Sequence, residues 1–247
     1  MRVTDKNDNI SEPTREISPV AYIKTDLKNK FGIPRQSGRI SALVGRIEFV
    51  PEWRNADAVR ELDGFSHLWL IFDFSKAHKE KPAPTVRPPR LGGNRRVGVF
   101  ASRSPFRPNS LGLSCVKLEK IEHTKNSGTV LVVSGVDLLD GTPIYDIKPY
   151  IPYADCVPDA VGGYADAEAE HRLEVDFPEE LARLLPNSSY DAVTAMIADD
   201  PRPAYINDPL REYTVTYGDN EIDFHIDGSC AHVYRVRRVA DIANSPH

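Results

Sequence analysis

The chain has 247 residues, 40% of them hydrophobic and 27% charged, with a formal net charge of −5. This composition is that of an ordinary soluble globular protein, and no apolar run approaches the roughly 18–20 residues of a membrane-spanning helix. The polar N-terminus lacks the apolar segment of a secretory signal, and three widely spaced cysteines without a CxxC pair suit a reducing compartment. We therefore expect a cytoplasmic protein that does not associate with membranes.

Most of the first 150 residues have strand-like patterns. Apolar or alternating runs of strand length occupy residues 19–25, 39–50, 67–74 and 97–102. The clearest hairpin pairs residues 112–122 with 128–138 across a turn at Lys125 to Gly128. The single helix predicted here is short, from Ala56 to Leu62, with Asn55 placed to cap it.

The composition changes after Tyr153, where an acidic, Gly- and Ala-rich segment begins. Two helices are predicted at residues 178–185 and 189–197, and three strands follow near the C-terminus. Many closely spaced strands with few helices favour a barrel or sandwich over a parallel α/β sheet. We predict a mainly β protein: a flexible N-terminus over 1–17, a β-barrel over 18–160 and a small α+β domain over 161–247.

Positive charge is concentrated in one window. Between Lys81 and Lys117 there are eight Lys or Arg residues and no Asp or Glu, so the rest of the chain carries about −13. The arginine side chain presents a planar fork of donors that suits phosphate and carboxylate groups. The window therefore predicts a local anion site in an otherwise acidic protein.

The common catalytic signatures are absent from the sequence. There is no G-x-G-x-x-G after a strand, no P-loop, no H-x-x-H pair and no G-x-S-x-G motif, so nothing predicts a metal site. One residue is unusual, because Asp73 lies in the apolar segment HLWLIFDF and needs either a polar face or a partner.

Three segments carry concentrated polar chemistry: IPRQSGR (33–39), SRSPFRPNSLGLS (102–114) and DLLDGTPIYDIKPYIPY (137–153). In the second, Arg103 and Arg107 stand four apart in a loop that prolines stiffen, so their donors are held in position. In the third, Asp137, Asp140 and Asp146 surround a Gly turn, where they serve equally well as turn caps. Taken alone, these residues indicate an anion-binding β domain.

The same segments carry a family resemblance. In order along the chain, PRQ, FSHLW, TVRPPRLGGN, VGVFASRSPFRPN and DLLDGTPIYDIKPY resemble the TrmO (TsaA-like) family of tRNA methyltransferases over residues 18–160. The similarity continues more weakly through DPRPAY (200–205). It departs from the common pattern at Ser110, where many members have Pro, and at Ser75, where some have His.

The resemblance implies an activity, a cofactor and an assembly. Such proteins use S-adenosylmethionine to methylate N6 of N6-threonylcarbamoyladenosine, the base immediately 3′ of the tRNA anticodon. They have a barrel core in place of a Rossmann sheet, and they form homodimers with the cofactor near the subunit interface. The positions that match the cofactor pocket are Pro34, Arg35, Gln36, Phe74, Ser75, Arg103, Leu113, Ser134, Gly135, Val136 and Asp137.

The resemblance also suggests how tRNA is held. Basic residues would bind the threonyl carboxylate and the phosphates of the anticodon loop; they are Arg87, Arg90, Arg95, Arg96, Arg107 and Lys148. Asp137 and Asp140 are candidates for a general base, and a purely positional mechanism is the alternative. Two other classes remain open: a non-catalytic barrel that binds RNA or an anionic metabolite, and a hydrolase that uses the carboxylates of residues 137–146.

Overall fold

The computed structural model describes residues 15–78, 81, 83–88, 91, 95–168, 171–203, 206 and 208–240. Its N-terminal part is a closed, six-stranded antiparallel barrel with the strand order β1-β2-β7-β6-β3-β8, and β4 pairs with β5 outside it. The strands are β1 (Ala21–Thr25), β2 (Val44–Phe49), β3 (His67–Asp73), β4 (Thr85–Val86), β5 (Val97–Gly98), β6 (Leu111–Thr124), β7 (Gly128–Ser134) and β8 (Pro143–Pro149). The predicted mainly β fold with a barrel core is confirmed.

Alternating side chains fill the barrel. Ile23, Ile47, Leu68, Leu70 and Leu131 point inward and are fully buried, as expected for strands with one face turned to a core. The interior is narrow, because Gly112 lies directly against Phe72. A Cβ atom added at that glycine would stand 2.2–2.7 Å from atoms of the phenyl ring.

The long connections of the barrel meet at one end. Antiparallel pairing places the end of β3 beside the start of β6 and of β8, and the end of β7 beside the start of β2. The connections 26–43, 74–110 and 135–142 therefore leave from the same end, which we call the mouth. The three segments that sequence analysis singled out all begin or lie in these connections.

The C-terminal part is a four-stranded sheet with helices. Its sheet has the order β10-β11-β12-β9, with β9 parallel to β12. The elements are α1 (Pro152–Asp155), β9 (Glu174–Asp176), α2 (Glu179–Ala182), α3 (Asn187–Ala198), β10 (Glu212–Tyr217), β11 (Asn220–Asp227) and β12 (Cys230–Arg238). None of these or the other described helices is long and apolar enough to cross a membrane.

The two parts share one hydrophobic core. Residue Gly32, on the connection after β1, has φ +89, and a Cβ there would approach Val215 and Met196 at 2.8 and 3.1 Å. Only a glycine tolerates both the positive φ and this close approach. The division into domains at residues 160 and 161 stays a prediction.

Two local predictions were wrong and one was confirmed. The strand predicted over 97–102 ends at Gly98, because residues Val99–Ala101 turn into a 3-10 helix with Val99 buried. The helix predicted from Ala56 is a 3-10 helix that ends at Val59, and Glu61 then takes a left-handed φ of 65°. The cap is as predicted, since Asn55 Oδ1 accepts a hydrogen bond from the Asp57 amide at 3.0 Å.

Candidate active site

A segment of the first connection closes a gap in the barrel wall at the mouth. The β6–β7 ladder begins only at Lys117, so the first half of β6 has an open edge on that side. Residues 30–39, which we call the strap, cover this edge. The Cys115 amide donates to Ser37 Oγ at 2.9 Å, and the Gly38 amide donates to the Gly135 carbonyl at 2.8 Å. The strap therefore joins β6 to the turn after β7.

Asp137 places a carboxyl group at this junction. Ser114 Oγ, which points into the barrel, donates to Asp137 Oδ1 at 2.6 Å, and the Ser37 amide also donates to the carboxylate. Part of the residue is exposed, but its carboxyl group lies deep among these neighbours. Burial raises the pKa of Asp137 to about 6, although the hydrogen bonds and the charge of Arg103 oppose the shift. A carboxyl group with this pKa exchanges its proton near neutral pH.

Arg103 completes the junction from the third connection of the mouth. Its Nη1 donates to Gln36 Oε1 on the strap at 2.5 Å, while the side chain stays exposed. Arg107, four residues on, donates from Nη1 to the Ser102 carbonyl at 3.0 Å and so braces its own loop. The two arginines thus have different surroundings, and Arg103 is the one that faces the strap and Asp137.

Asp140, the other candidate base, caps the end of β1. Its two oxygens accept from the Thr25 amide at 3.0 Å and from Lys28 Nζ at 2.9 Å. Burial acts to raise the pKa of Asp140, but the bonds from Lys28 and Thr25 outweigh it, so the pKa lies below its ordinary value. A carboxylate held ionised in this way is a poor proton acceptor, and the geometry favours Asp137.

Most of the predicted cofactor residues come together around this junction. Pro34, Val136 and Ser134 are buried, and Ser134 Oγ donates to Glu119 Oε1 at 2.6 Å. Gly135 takes φ +73, and a Cβ there would approach Gly38 at 3.2 Å. These contacts fix the floor of the site through backbone that only a small residue permits.

Three predicted cofactor positions lie at the edge of the junction. The Phe74 amide donates to the Ser110 carbonyl at 2.9 Å and Ser75 is exposed beside it, both at the end of β3. The Leu113 side chain lies on the outer wall and is 55% exposed. Because amides two apart on a strand point the same way, its backbone amide faces the same open edge as that of Cys115.

Arg35 is the exception among the predicted cofactor residues. Its Nη2 donates to the Arg202 carbonyl at 3.0 Å, and it lines a cavity with C-terminal residues. The strap therefore has two sides: Gln36 and Ser37 face the mouth, whereas Arg35 and Arg39 face the C-terminal part. The Arg35 side chain therefore points away from the mouth.

Sequence analysis missed two residues that build the junction, Ser37 and Ser114. Each is small and polar, and each supplies a hydroxyl to a partner distant along the chain. The sequence pattern offered only a weak indication of their role. Ser114 stands at an inward position of a predicted strand, where a buried hydroxyl needs a partner.

The predicted RNA contacts lie mainly on the exposed side of the 74–110 connection. Arg87, Arg95 and Arg96 are exposed, and Arg96 Nη1 donates to Thr85 Oγ1 at 3.0 Å. Lys148 lies on the outer wall of β8 and pairs with Asp146 at 2.8 Å, while Arg90 lies outside the described residues. Within the described part of the chain, no carboxylate pairs with an arginine of the 81–117 window.

The partner that Asp73 requires is His78. Its Nε2 lies 2.6 Å from Asp73 Oδ1, and the carboxylate is buried beneath it. This contact holds the chain that leaves β3 against the barrel wall. Among the described residues, no group of three or more His, Cys, Asp or Glu side chains is arranged to hold a metal ion.

Comparison with known proteins agrees with this architecture. Residues 22–156 match the family model of the tRNA-methyltransferase O N-terminal domain, and residues 170–239 match that of the TrmO C-terminal domain. A crystal structure of TrmO from Pseudomonas aeruginosa superposes with a TM-score of 0.76 at 34% identity, covering 93% of this chain and 100% of that one.

Similar sequences carry matching names. The tRNA (adenine(37)-N6)-methyltransferase of Escherichia coli K12 is 42% identical over 77% of this chain and 83% of its own length. The protein of the same name from Eikenella corrodens is 48% identical over 71% and 98%. RcsF of Pseudomonas aeruginosa, named provisionally as an S-adenosylmethionine-dependent methyltransferase, is 42% identical over 86% and 93%. The chain belongs to the tRNA-methyltransferase O family.

Proposed function

We propose that this protein transfers a methyl group from S-adenosylmethionine to N6 of adenosine 37 in tRNA, and that its substrate is the N6-threonylcarbamoyl form of that base. The observation that carries the proposal is the junction at the mouth. There a carboxyl group with a pKa of about 6, an arginine fork and a glycine turn meet, in a family whose relatives are named for this reaction.

The residues present fit the cofactor. S-adenosylmethionine is a cation at sulfur and also carries an ammonium and a carboxylate. When bound, it supplies a methyl group already activated by the sulfonium charge. Asp137 offers a carboxylate to the positive groups, and Arg103 offers donors to the negative one. The Leu113 amide on the open edge of β6 and the turn at Ser134 to Val136 would line the rest.

The protein itself must orient the target nitrogen and handle its proton. The lone pair of a carbamoylated N6 is delocalised into the ring and the urea carbonyl, so the nitrogen is a poor nucleophile while it keeps its hydrogen. Asp137 is the side chain we assign to accept that hydrogen, since its pKa lies near the working pH. Ser114 and the Ser37 amide hold the carboxyl group in one orientation.

The tRNA would approach across the exposed connection 74–110. Arg87, Arg95 and Arg96 are exposed there, and we assign to them the contacts with phosphates of the anticodon loop. Arg90 belongs to the same proposal from sequence alone. Arg107 is half-buried against the Ser102 carbonyl, and Lys148 is paired with the Asp146 carboxylate, so we expect smaller contributions from these two.

We further propose a homodimer in the cytoplasm. The outer wall formed by β3 and β6 exposes Leu113 and carries Trp69, Ile71 and Cys115 on the same face. Such a row of apolar side chains on one wall is typical of a protein interface. A second copy docked there would lie next to the cofactor site, because Leu113 belongs to both.

Methyl transfer to defined tRNAs tests the function. The purified chain is incubated with S-adenosylmethionine labelled in the methyl group and with one tRNA that carries, or lacks, the threonylcarbamoyl group. We expect label only in the modified tRNA, at N6 of adenosine 37. Equal labelling of both tRNAs would contradict the substrate, and tRNA binding without any labelling would favour the non-catalytic binding module.

A further inference from the structure

A cavity lies on the side of the strap that faces away from the mouth. Its volume is about 230 Å³, and it lies between the strap and the segment that follows α3, with one side open to solvent. Its apolar wall consists of Phe31 and Ile33 from the strap with Met196, Pro201 and Pro203 from the C-terminal part. The Phe31 ring stacks on Tyr213 with centroids 5.8 Å apart and planes 3° apart, so its orientation is fixed.

The surroundings of this cavity are strongly basic. Lys30 and Arg35 line it and are exposed. Each donates one hydrogen bond to a backbone carbonyl, Lys30 to Lys76 at 2.7 Å and Arg35 to Arg202 at 3.0 Å, and neither has a carboxylate partner among the described residues. The carboxylates of Asp199 and Asp200 also line it, and both are covered by salt bridges: Asp199 pairs with Arg39 and Arg172, and Asp200 with Arg202. Among the described side chains that line the cavity or pair there, five Lys and Arg face two carboxylates.

The local excess is therefore three positive charges in a protein whose net charge is −5. The cavity lies outside the 81–117 window and forms a second basic centre. Such surroundings favour an anion that also has an apolar or aromatic part.

The backbone around the cavity is held in place. Asp200 takes φ +50, a left-handed conformation that is uncommon for a residue other than glycine. Arg202 Nε donates to both of its oxygens at 3.0 and 3.2 Å and so holds the turn that carries Pro201. Strained backbone held by its surroundings is found most often at binding sites.

Two consecutive residues of the strap connect the cavity to the proposed methyl-transfer site. Arg35 lines the cavity, and the next residue, Gln36, accepts the hydrogen bond from Arg103 at the mouth. Because consecutive residues carry the two contacts, the cavity and the mouth lie on opposite sides of one short stretch of backbone.

We propose that this cavity binds an unpaired nucleobase of the tRNA that neighbours the methylated adenosine, with Lys30 and Arg35 against its phosphate. The proposal rests on the function proposed above. Proteins recognise single-stranded RNA by stacking splayed bases on aromatic side chains and by basic groups that follow the backbone. The cavity is smaller than the roughly 300–1,000 Å³ of sites for whole drug-sized ligands, which suits a planar base whose sugar and phosphate stay outside.

Two variants of the full-length protein separate the base contact from the phosphate contact. A labelled anticodon stem-loop that carries the threonylcarbamoyl group is titrated at several salt concentrations. We expect Lys30→Glu to weaken binding about tenfold and to lower the slope of log K against log salt by about one. We expect Phe31→Leu to weaken binding about fivefold or more without changing the slope, and Phe31→Tyr to restore it.

Matched measurements control for folding and for long-range charge. Lys125→Glu makes the same change of charge in the β6–β7 turn, at the opposite end of the barrel, and should leave binding within about twofold of the wild type. Thermal unfolding shows that each variant is folded, and titration with S-adenosylmethionine should give the wild-type affinity for all of them.

Several outcomes would overturn the proposal. If Lys30→Glu binds the stem-loop as tightly as Lys125→Glu does, Lys30 does not contact a phosphate. If folded Phe31→Leu binds it with wild-type affinity, the cavity does not hold a base. Loss of S-adenosylmethionine affinity in either variant would assign the cavity to the cofactor. Methylation of tRNA by the wild-type protein is scored separately, so a failure of the enzymatic function is not confused with a failure of the cavity.

Discussion

Two carboxylates of one motif, three positions apart, have opposite surroundings. Asp137 is desolvated and accepts bonds from a hydroxyl and an amide, whereas Asp140 is bonded to the Lys28 ammonium. Burial dominates at the first, and the bonds from Lys28 and Thr25 prevail at the second, so the pKa values move apart. Our proposal that Asp137 accepts the proton rests on this divergence.

The rate of methylation should therefore depend on pH through Asp137. In the free enzyme the carboxyl loses its proton near pH 6, so kcat/KM for S-adenosylmethionine should rise between about pH 5 and 7. Asp137→Asn cannot accept a proton, and we expect its rate at pH 7.5 to fall by about 100-fold or more. Initial rates across this pH range check both expectations.

Asp140→Asn is the matched control, because it should retain the pH profile. A rate close to that of the wild type for Asp137→Asn would instead support the positional mechanism.

The pH dependence of stability gives a second test of the pKa of Asp137. The folded pKa of Asp137 lies above the unfolded value of 3.8, so the folded state binds more protons and stability falls as pH rises from about 4 to 6. Asp137→Asn should lose that decline.

Sequence patterns singled out individual residues but did not predict where their side chains point. Because Asp73 is a carboxylate in an apolar strand, we predicted that it needs a polar face or a partner, and His78 is that partner. The direction of the Arg35 side chain did not follow, because it depends on a carbonyl 167 residues away along the chain. The contacts of Ser37 and Ser114 were missed for the same reason.

At the level of elements, the narrow barrel interior depends on one glycine. Gly112 of β6 lies against the Phe72 ring, with space for no further atom. We expect Gly112→Ala to lower the free energy of unfolding by about 1–3 kcal/mol, because overpacking forces the ring off its rotamer or moves the strand. Urea-induced unfolding measures the change.

Gly98→Ala serves as the comparison for this variant. A Cβ there meets nothing within 4 Å and the φ is −58°, so stability should change by less than about 0.5 kcal/mol. The double variant Gly112→Ala with Phe72→Leu should recover part of the loss. A single variant as stable as the wild type would show that the barrel relaxes around the added methyl group.

The longer elements with a regular local pattern were predicted well, whereas the short helix at Ala56 and the strand over 97–102 were not. The β6–β7 hairpin and the long helix of the C-terminal part lie where hydrophobic spacing placed them. The segment 97–102 has the composition of a strand, yet only two of its residues find a partner, in the equally short β4. Propensity alone does not supply a neighbouring strand.

At the level of the whole molecule, the proposed dimer can be tested by mass. Ile71→Arg places a charge in the apolar wall of β3 and β6, and burial of an unpaired charge in an interface is costly. We expect the wild type to be a dimer by light scattering and Ile71→Arg to be a monomer at the same concentration.

Val44→Arg is the matched control for this variant. Val44 is an exposed valine on β2, three strands from β3 in either direction around the barrel, and the substitution should leave the mass unchanged. A monomeric wild type, or an unchanged dimer in Ile71→Arg, would contradict the proposed interface.

The barrel class was predictable, but its closure and strand order were not. The order β1-β2-β7-β6-β3-β8 requires strands far apart in sequence to pair, and such pairings leave no local pattern. This order is also what gathers the connections 26–43, 74–110 and 135–142 at one mouth. The family motifs single out these segments, whereas only the topology explains why connections separated by 30 and 24 residues meet there.

The strap has a thermodynamic consequence, because it contributes adjacent residues to two binding surfaces. A ligand on either side must restrict the same stretch of backbone around Arg35 and Gln36. The strap then loses conformational entropy only once, when the first ligand binds. The second ligand binds without that cost, because the strap is already restricted. If both proposed sites are used, we expect cofactor and tRNA to be coupled with positive sign and equal magnitude in both directions, without any large change of shape.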